Sequence, residues 1–201
     1  MKHRKQVCAI ALCCLGWAWS SAVAAEAPSS TWIGRQTAGV VIGGMLPVRL
    51  MEGQSSKLNG VAVHPSWKIA LTDPIGDRWR SGSLALGAEA ALLRVAEPTG
   101  AYGIGFTPKL AYMLASFGRL KPYVAGGGGP LWTNFDGRIP EQGTDFNFLV
   151  WIGTGATDDL SPRWALNTGV RLSHISNSGI ESPNGGLKYL LPFAGVSAKL
   201  F

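Results

Sequence analysis

The sequence predicts an all-β protein, an eight-stranded antiparallel barrel that spans a membrane. Three observations predict it. Apolar and polar side chains alternate with a period of two, over and over along the chain. The alternating stretches run to about 9 to 13 residues, and tilted strands need about 9–11 to cross a bilayer. After the N-terminus, no stretch approaches the eighteen or so uninterrupted apolar residues of a spanning helix. A period of two sends successive side chains to opposite faces of a strand. Eight such strands close into the smallest common outer-membrane β-barrel, with side chains filling the interior. In lipid, closure is obligatory, because every unpaired N–H or C=O costs several kcal/mol.

The first segment in the chain is not part of the barrel. Lys2, His3, Arg4 and Lys5 precede an apolar run from Val7 to Trp19, and Ala22-Val23-Ala24 or Val23-Ala24-Ala25 offers a small-residue cleavage site. This is the pattern of a secretory signal peptide over residues 1–25, leaving one domain over 26–201. Cys8, Cys13 and Cys14 all fall in the segment to be removed. The exported chain would then hold no thiol, disulfide or soft metal ligand. The formal charge of +6 drops by three, to +3, with Lys2, Arg4 and Lys5 gone. That is too weak and scattered for a nucleic-acid footprint.

Eight strands follow. Val40, Ile42, Leu46, Val48 and Leu50 are the apolar row of the first. In the second, Val61, Val63, Trp67, Ile69 and Leu71 oppose Ala62, His64, Ser66 and Lys68. In the third, Leu84, Leu86, Ala88, Ala90 and Leu92 oppose a row containing Glu89. Ala101 to Ala115 is the clearest: Tyr102, Ile104, Phe106, Leu110, Tyr112 and Leu114 share one parity, and Gly103, Gly105, Thr107, Lys109 and Ala111 the other. Leu120 to Thr133 is the fifth, with its pattern erased by Gly126 to Gly129. Phe146, Phe148, Val150 and Ile152 mark the sixth, Trp164 to Ser176 the seventh, and Leu187 to Phe201 the last. The connection from Thr72 to Gly82 is long for an inner turn. Trp79, Trp132 and Trp164 fall near strand ends, where membrane girdles sit; the parity of Trp151 turns it inward. The inward rows carry His64, Lys68, Glu89, Lys109 and Arg171, which fits a polar network in a filled lumen. A soluble barrel would alternate too, but its strands would be shorter. The four glycines lack the Lys-Ser/Thr ending of a phosphate loop, so wall packing explains them. Asp158-Asp159 reads as a solvated turn.

The seventh strand carries the candidate chemistry. Trp164, Leu166, Thr168, Val170, Leu172, His174 and Ser176 share its outward face; Ala165, Asn167, Gly169, Arg171 and Ser173 share the inward one. The outward row is apolar until its end, where it becomes His and Ser. A spacing of two separates the pair by about 6.8 Å along the strand, a gap an imidazole can bridge. With both termini on the periplasmic side, this strand runs outward and ends in the outer leaflet. Serine is a weak nucleophile until a base takes its proton, and histidine suits that task. The oxyanion that develops needs fixed N–H donors. Asn177, Asn184 and the backbone around Gly179, Gly185 and Gly186 are the nearby supply. No cluster of ligands for a metal exists, and no cofactor is implied.

The stretches "RLSHISNSGIESPNGG", "GRLKPYVAGGGGPLW" and "TDFNFLVWIGTG" together resemble the lipid A 3-O-deacylases of the PagL type, also called acyloxyacyl hydrolases, over roughly Ala101 to Phe201. The motif H-x-S-N-x-G…P-N-x-G and a final strand ending in Phe carry the resemblance. It implies an eight-stranded barrel in the bacterial outer membrane. It also implies hydrolysis of the ester between a 3-hydroxyacyl chain and the 3-position of lipid A, with lipopolysaccharide of the outer leaflet as substrate. Carried over, Ser176 corresponds to the nucleophile and His174 to the base, with Asn177, Gly179 and Asn184 supporting the oxyanion or the loop. One position departs. Fourteen residues after His174, where some relatives place an acid to orient the imidazole, stands Lys188, which cannot accept a hydrogen bond. Glu181, folding back from the loop, is the candidate replacement. The alternative reading is a non-enzymatic small barrel with a structural or adhesive role, for which Lys188 is the best support.

Overall fold

The computed structural model describes residues 31–48, 58–77, 80–115 and 119–200. The expected signal peptide, its three cysteines and Trp79 of the expected girdle lie outside the described residues. Eight strands follow one another: β1 (Gln36–Pro47), β2 (Asn59–Ala70), β3 (Gly82–Glu97), β4 (Ala101–Leu114), β5 (Leu120–Thr133), β6 (Phe146–Asp159), β7 (Trp164–Ser176) and β8 (Leu187–Lys199). Each pairs antiparallel with its chain neighbour, and β8 pairs with β1 to close the barrel. No strand edge is left, as the cost of an unpaired backbone in lipid requires.

Several strands are longer than expected, and β3 reaches 16 residues. Its alternation persists past Leu92, with Leu93 and Val95 buried inside, so pairing to β4 continues to Val95. A 14-residue strand is about 46 Å long at about 3.3 Å per residue. At a tilt near 45° it rises about 33 Å, enough for an apolar band about 25 Å tall. The outward rows match the sequence reading: Ile42, Val61, Leu86, Ile104, Phe106, Val150 and Ile152 are 39% or more exposed, while His64, Glu89, Thr107, Asn147 and Tyr189 face inward at 2% or less. Trp132 and Trp164 stand outward near opposite ends of the barrel, and Trp151 is buried inside.

One end gathers the strand termini nearest Gln36 and Lys199 with connections 71–81, 115–119 and 160–163; the other carries 48–58, 98–100, 134–145 and 177–186. The described parts of the connection after β2 are tied down. Ile75 bridges to Gly82, and the Tyr112 hydroxyl donates to the Arg80 carbonyl at 2.7 Å. The glycine run thins the wall: a Cβ on Gly127 would stand 2.6 Å from the Pro108 carbonyl and 3.2 Å from the Trp151 ring.

A carboxylate organises the lumen. Arg171 on β7 reaches across to Glu89 on β3, the opposite wall, with Nη1 2.6 Å from Oε1 and Nη2 3.2 Å from Oε2. Lys109 Nζ lies 3.1 Å from Oε2, and His64 Nδ1 3.4 Å from Oε1. The Arg171 guanidinium also lies over Trp151 at 4.0 Å and Phe193 at 5.0 Å. Lys68 departs from the expected network. Its ammonium meets Met113 Sδ at 3.6 Å and the face of Tyr123 at 5.9 Å, not Glu89. Asp159 departs from the expected solvated turn as well: it ends β6 and pairs with Lys121 and Lys199.

Candidate active site on the outer face of strand seven

The site begins with parity. Ile175 and Asn177 are fully buried, which turns His174 and Ser176 to the outer surface, both half-buried. Register then sets their neighbours: His174 lies opposite Val150 of β6 and Lys188 of β8, and Ser176 lies opposite Phe148. Directly opposed residues on one face have Cβ atoms about 4.5–5.5 Å apart, so Lys188 shares the patch of the imidazole. The Lys188 ammonium acts on the ring electrostatically. On the β6 side the patch is aromatic, with Trp132, Phe146 and Phe148 packed edge to face at centroid distances of 5.4 and 5.3 Å.

Above the pair, the chain turns sharply. Ser178 and Gly179 both have positive φ, 56° and 79°. Asn177 staples this turn: its Oδ1 accepts from Gly179 N–H at 2.9 Å, and its Nδ2 donates to the Glu181 carbonyl at 2.7 Å. Its own N–H donates to Asn184 Oδ1 at 3.0 Å. Residues 183–185 are in turn docked on the neighbouring loop, through Gly143 N–H to the Pro183 carbonyl at 2.8 Å and Gly185 N–H to the Glu141 carbonyl at 3.0 Å. Gln142 and Asn184 form an antiparallel bridge.

Gly186 closes the site. Its φ is +69°, and a Cβ placed there would stand 2.5 Å from His174 Cε1 and 3.3 Å from Nε2. The backbone therefore lies flat against the imidazole, a position only glycine fills without strain. His174 Nδ1 is buried and makes no hydrogen bond of normal geometry, although the Leu187 carbonyl lies close enough to act on the ring.

The structure thus places His174 and Ser176 outward at the end of β7, with Asn177, Gly179 and Asn184 tied together in the loop that follows them. It treats Glu181 differently. That side chain is exposed, its backbone carbonyl is what the loop uses, and its carboxylate is not bonded to Nδ1. The turn at Ser178 and Gly179 explains why: the Asn177 amide fixes the backbone of Glu181. Asn177 and the Gly179 N–H are likewise committed to the loop, while Asn184 is exposed. With its oxygen bonded inside the loop, it has only N–H groups to offer a ligand. Sequence reasoning counted Gly186 among backbone donors and missed its contact with the ring. It also missed the 134–145 loop, whose glycine Gly143 packs against Ser182 and Pro183. No sequence signal pairs two loops separated by a whole hairpin.

A family model described as PagL, lipid A 3-O-deacylase, matches residues 59–190. Among solved structures, the outer membrane enzyme PagL is similar over 79% of this chain and 97% of its own, at 21% identity and a TM-score of 0.58. Neisserial surface protein A is similar over 83% and 97%, at 15% identity and a TM-score of 0.58. At these identities the two structures speak for the fold alone. No curated protein sequence matches the chain.

Proposed function

We infer, since the chain belongs to the PagL family of lipid A 3-O-deacylases, that it is an outer-membrane serine esterase releasing the 3-O-linked 3-hydroxyacyl chain of lipid A. The observation that carries the reading is the place of His174 and Ser176: outward on β7, at the loop-bearing end, beside Val150 and Phe148. A polar pair on a lipid-facing row is expensive, and such residues mark function by default. With the termini in the periplasm, that end lies among the ester-linked chains of lipopolysaccharide.

In this mechanism the Ser176 hydroxyl gives its proton to the His174 imidazole as Oγ attacks the ester carbonyl carbon. The Asn184 amide, with backbone N–H groups of the 177–186 loop, donates to the oxyanion. Collapse expels the sugar oxygen, which takes the proton from the imidazolium and leaves acyl-Ser176. A water then loses a proton to His174 and attacks the acyl carbon; the acyl–Oγ bond breaks, Ser176 Oγ takes the proton back from the imidazolium, and the 3-hydroxy fatty acid leaves. Asn177 and Gly179 shape the loop, and Glu181 contributes through its carbonyl. The test is a lipid A mass spectrum from a Gram-negative host whose lipid A keeps its 3-O chain. Expression should remove the mass of one hydroxyacyl group. An unaltered spectrum with the folded barrel in the outer membrane would favour the non-enzymatic barrel, the reading that Lys188 supports.

Two variants probe how the imidazole is held. Gly186→Ala forces the ring away from its present place, and a displacement near 1 Å can cost about 100-fold in rate. We expect kcat to fall by about that factor with KM little changed; parental kinetics would remove Gly186 from any positioning role. Lys188→Glu places a carboxylate directly across the strand pair from His174. A triad acid orients and stabilises the imidazolium, so kcat should rise roughly tenfold. An unchanged or lower kcat would mean that backbone contacts already hold the ring fully.

A further inference from the structure

The end of the barrel remote from His174 and Ser176 holds a cavity of about 430 Å³. It opens inside the ring of strand ends nearest the chain termini, and its lining includes Trp32, Lys68, Ser83, Lys121, Asp159 and Lys199. Its charges do not balance. Asp159 Oδ2 alone receives both Lys121 Nζ, at 2.6 Å, and Lys199 Nζ, at 2.9 Å, while Oδ1 has no partner. Lys68 has no carboxylate at all among the described residues. Its ammonium touches only Met113 Sδ and the Tyr123 face, and the charged groups that bear on it are Lys109 and Lys121, both cations. Ser83 Oγ lines the same space, 1% exposed, with no hydrogen-bond partner. Three ammonium groups thus line one cavity, two of them sharing a single carboxylate and the third without one, next to an orphaned hydroxyl. Like charges gathered in a confined space repel, and a buried charge without its counter-ion is unfavourable. A multivalent oxyanion meets each need at once: it neutralises the surplus, accepts from the ammonium groups and accepts from Ser83.

We propose that this cavity is a binding site for a soluble phosphate-class oxyanion, entering from the side of the chain termini and held by Lys68, Lys121, Lys199 and Ser83. The space accommodates roughly a dozen water volumes at about 30 Å³ each, ample for phosphate or pyrophosphate with some retained water. Phosphate oxygens accept several ammonium bonds, and lysine serves such sites as a point charge. The cavity lies inside the barrel, whereas His174 and Ser176 face outward, and the two share no residue, so it is a second site and not an extension of the first.

The experiment is calorimetric titration of the full chain, folded in neutral detergent micelles, with sodium phosphate and sodium pyrophosphate at constant ionic strength. Saturable binding is expected, tighter for pyrophosphate. Lys68→Met and Lys121→Met should each weaken it at least tenfold, and Lys68→Arg, which keeps the cation, should retain it. Trp32, whose ring lies 5.9 Å from Lys121 Nζ, should report binding by fluorescence, and Trp32→Phe should remove that signal while leaving the heat. Each variant is checked for the β-sheet circular dichroism of the parent, and Lys121→Met carries the test if Lys68→Met does not fold. Absence of saturable heat with either anion overturns the proposal. So does equal binding by the folded Lys→Met variants, or binding confined to short-chain phosphatidic acid in the micelle.

Discussion

Ser176→Ala and His174→Asn should each lower release of the hydroxy fatty acid by at least about 10³-fold, and the double variant should be no worse than the more damaging single one. Nucleophile and base act as a unit, so losing either forfeits nearly the whole covalent route. Neither substitution should unfold the protein. Both side chains sit outward and half-buried, away from the luminal network, opposite Phe148, Val150 and Lys188. Surface changes of that kind usually stay within about 0.5 kcal/mol. The measurement is lipid A mass spectrometry alongside a denaturant midpoint for each barrel. Continued loss of the acyl chain from either folded variant would remove the Ser-His assignment. Additive losses would mean that the two residues act in separate steps.

Glu89→Gln should be the most destabilising single change in the lumen, at about 3–5 kcal/mol. The Glu89 side chain is wholly buried and answers two cations, Arg171 and Lys109, with His64 close by. An amide keeps the shape but leaves both cations without a counter-charge. Adding Arg171→Met should recover part of the loss, because it withdraws one of the stranded charges. Denaturant unfolding in lipid vesicles reads this directly, since Trp151 lies 4.0 Å from the Arg171 guanidinium and its fluorescence should follow the crossing. A loss under about 1 kcal/mol would show that water already screens the group. A double variant less stable than Glu89→Gln would show that Arg171 acts mainly through its rings.

Much of this was legible in the sequence because a barrel of this kind is written with a period of two. Parity alone put Ile104 and Phe106 outside, His64 and Glu89 inside, and turned Trp151 away from the girdle. The same parity brought His174 and Ser176 to the outer face. What parity cannot encode is reach. Lys68 and Lys109 share the lumen and both stand opposite Gly87, two residues from Glu89, yet only Lys109 meets it; register does not say which partner a long side chain takes. Glu181 is exposed and its carboxylate is not bonded to His174 Nδ1, while Asn177 holds its backbone carbonyl in the turn. The contact of Gly186 with the ring needed a positive φ and a loop path, and neither follows from alternation. The Asp158-Asp159 pair looked like a turn because two acids usually are one; the facing Lys121 and Lys199 became visible only once β5, β6 and β8 were brought together.

The salt bridge thrown from one wall to the other also makes the molecule a stopper. Arg171, Glu89, Lys109, Trp151 and Phe193 occupy the bore at mid-height, where the bore of an eight-stranded cylinder is only wide enough for side chains to fill. Solutes the size of nutrients and antibiotics therefore meet packed side chains there and not an open channel. A cell can carry many copies of such a plugged barrel in its envelope without becoming leaky.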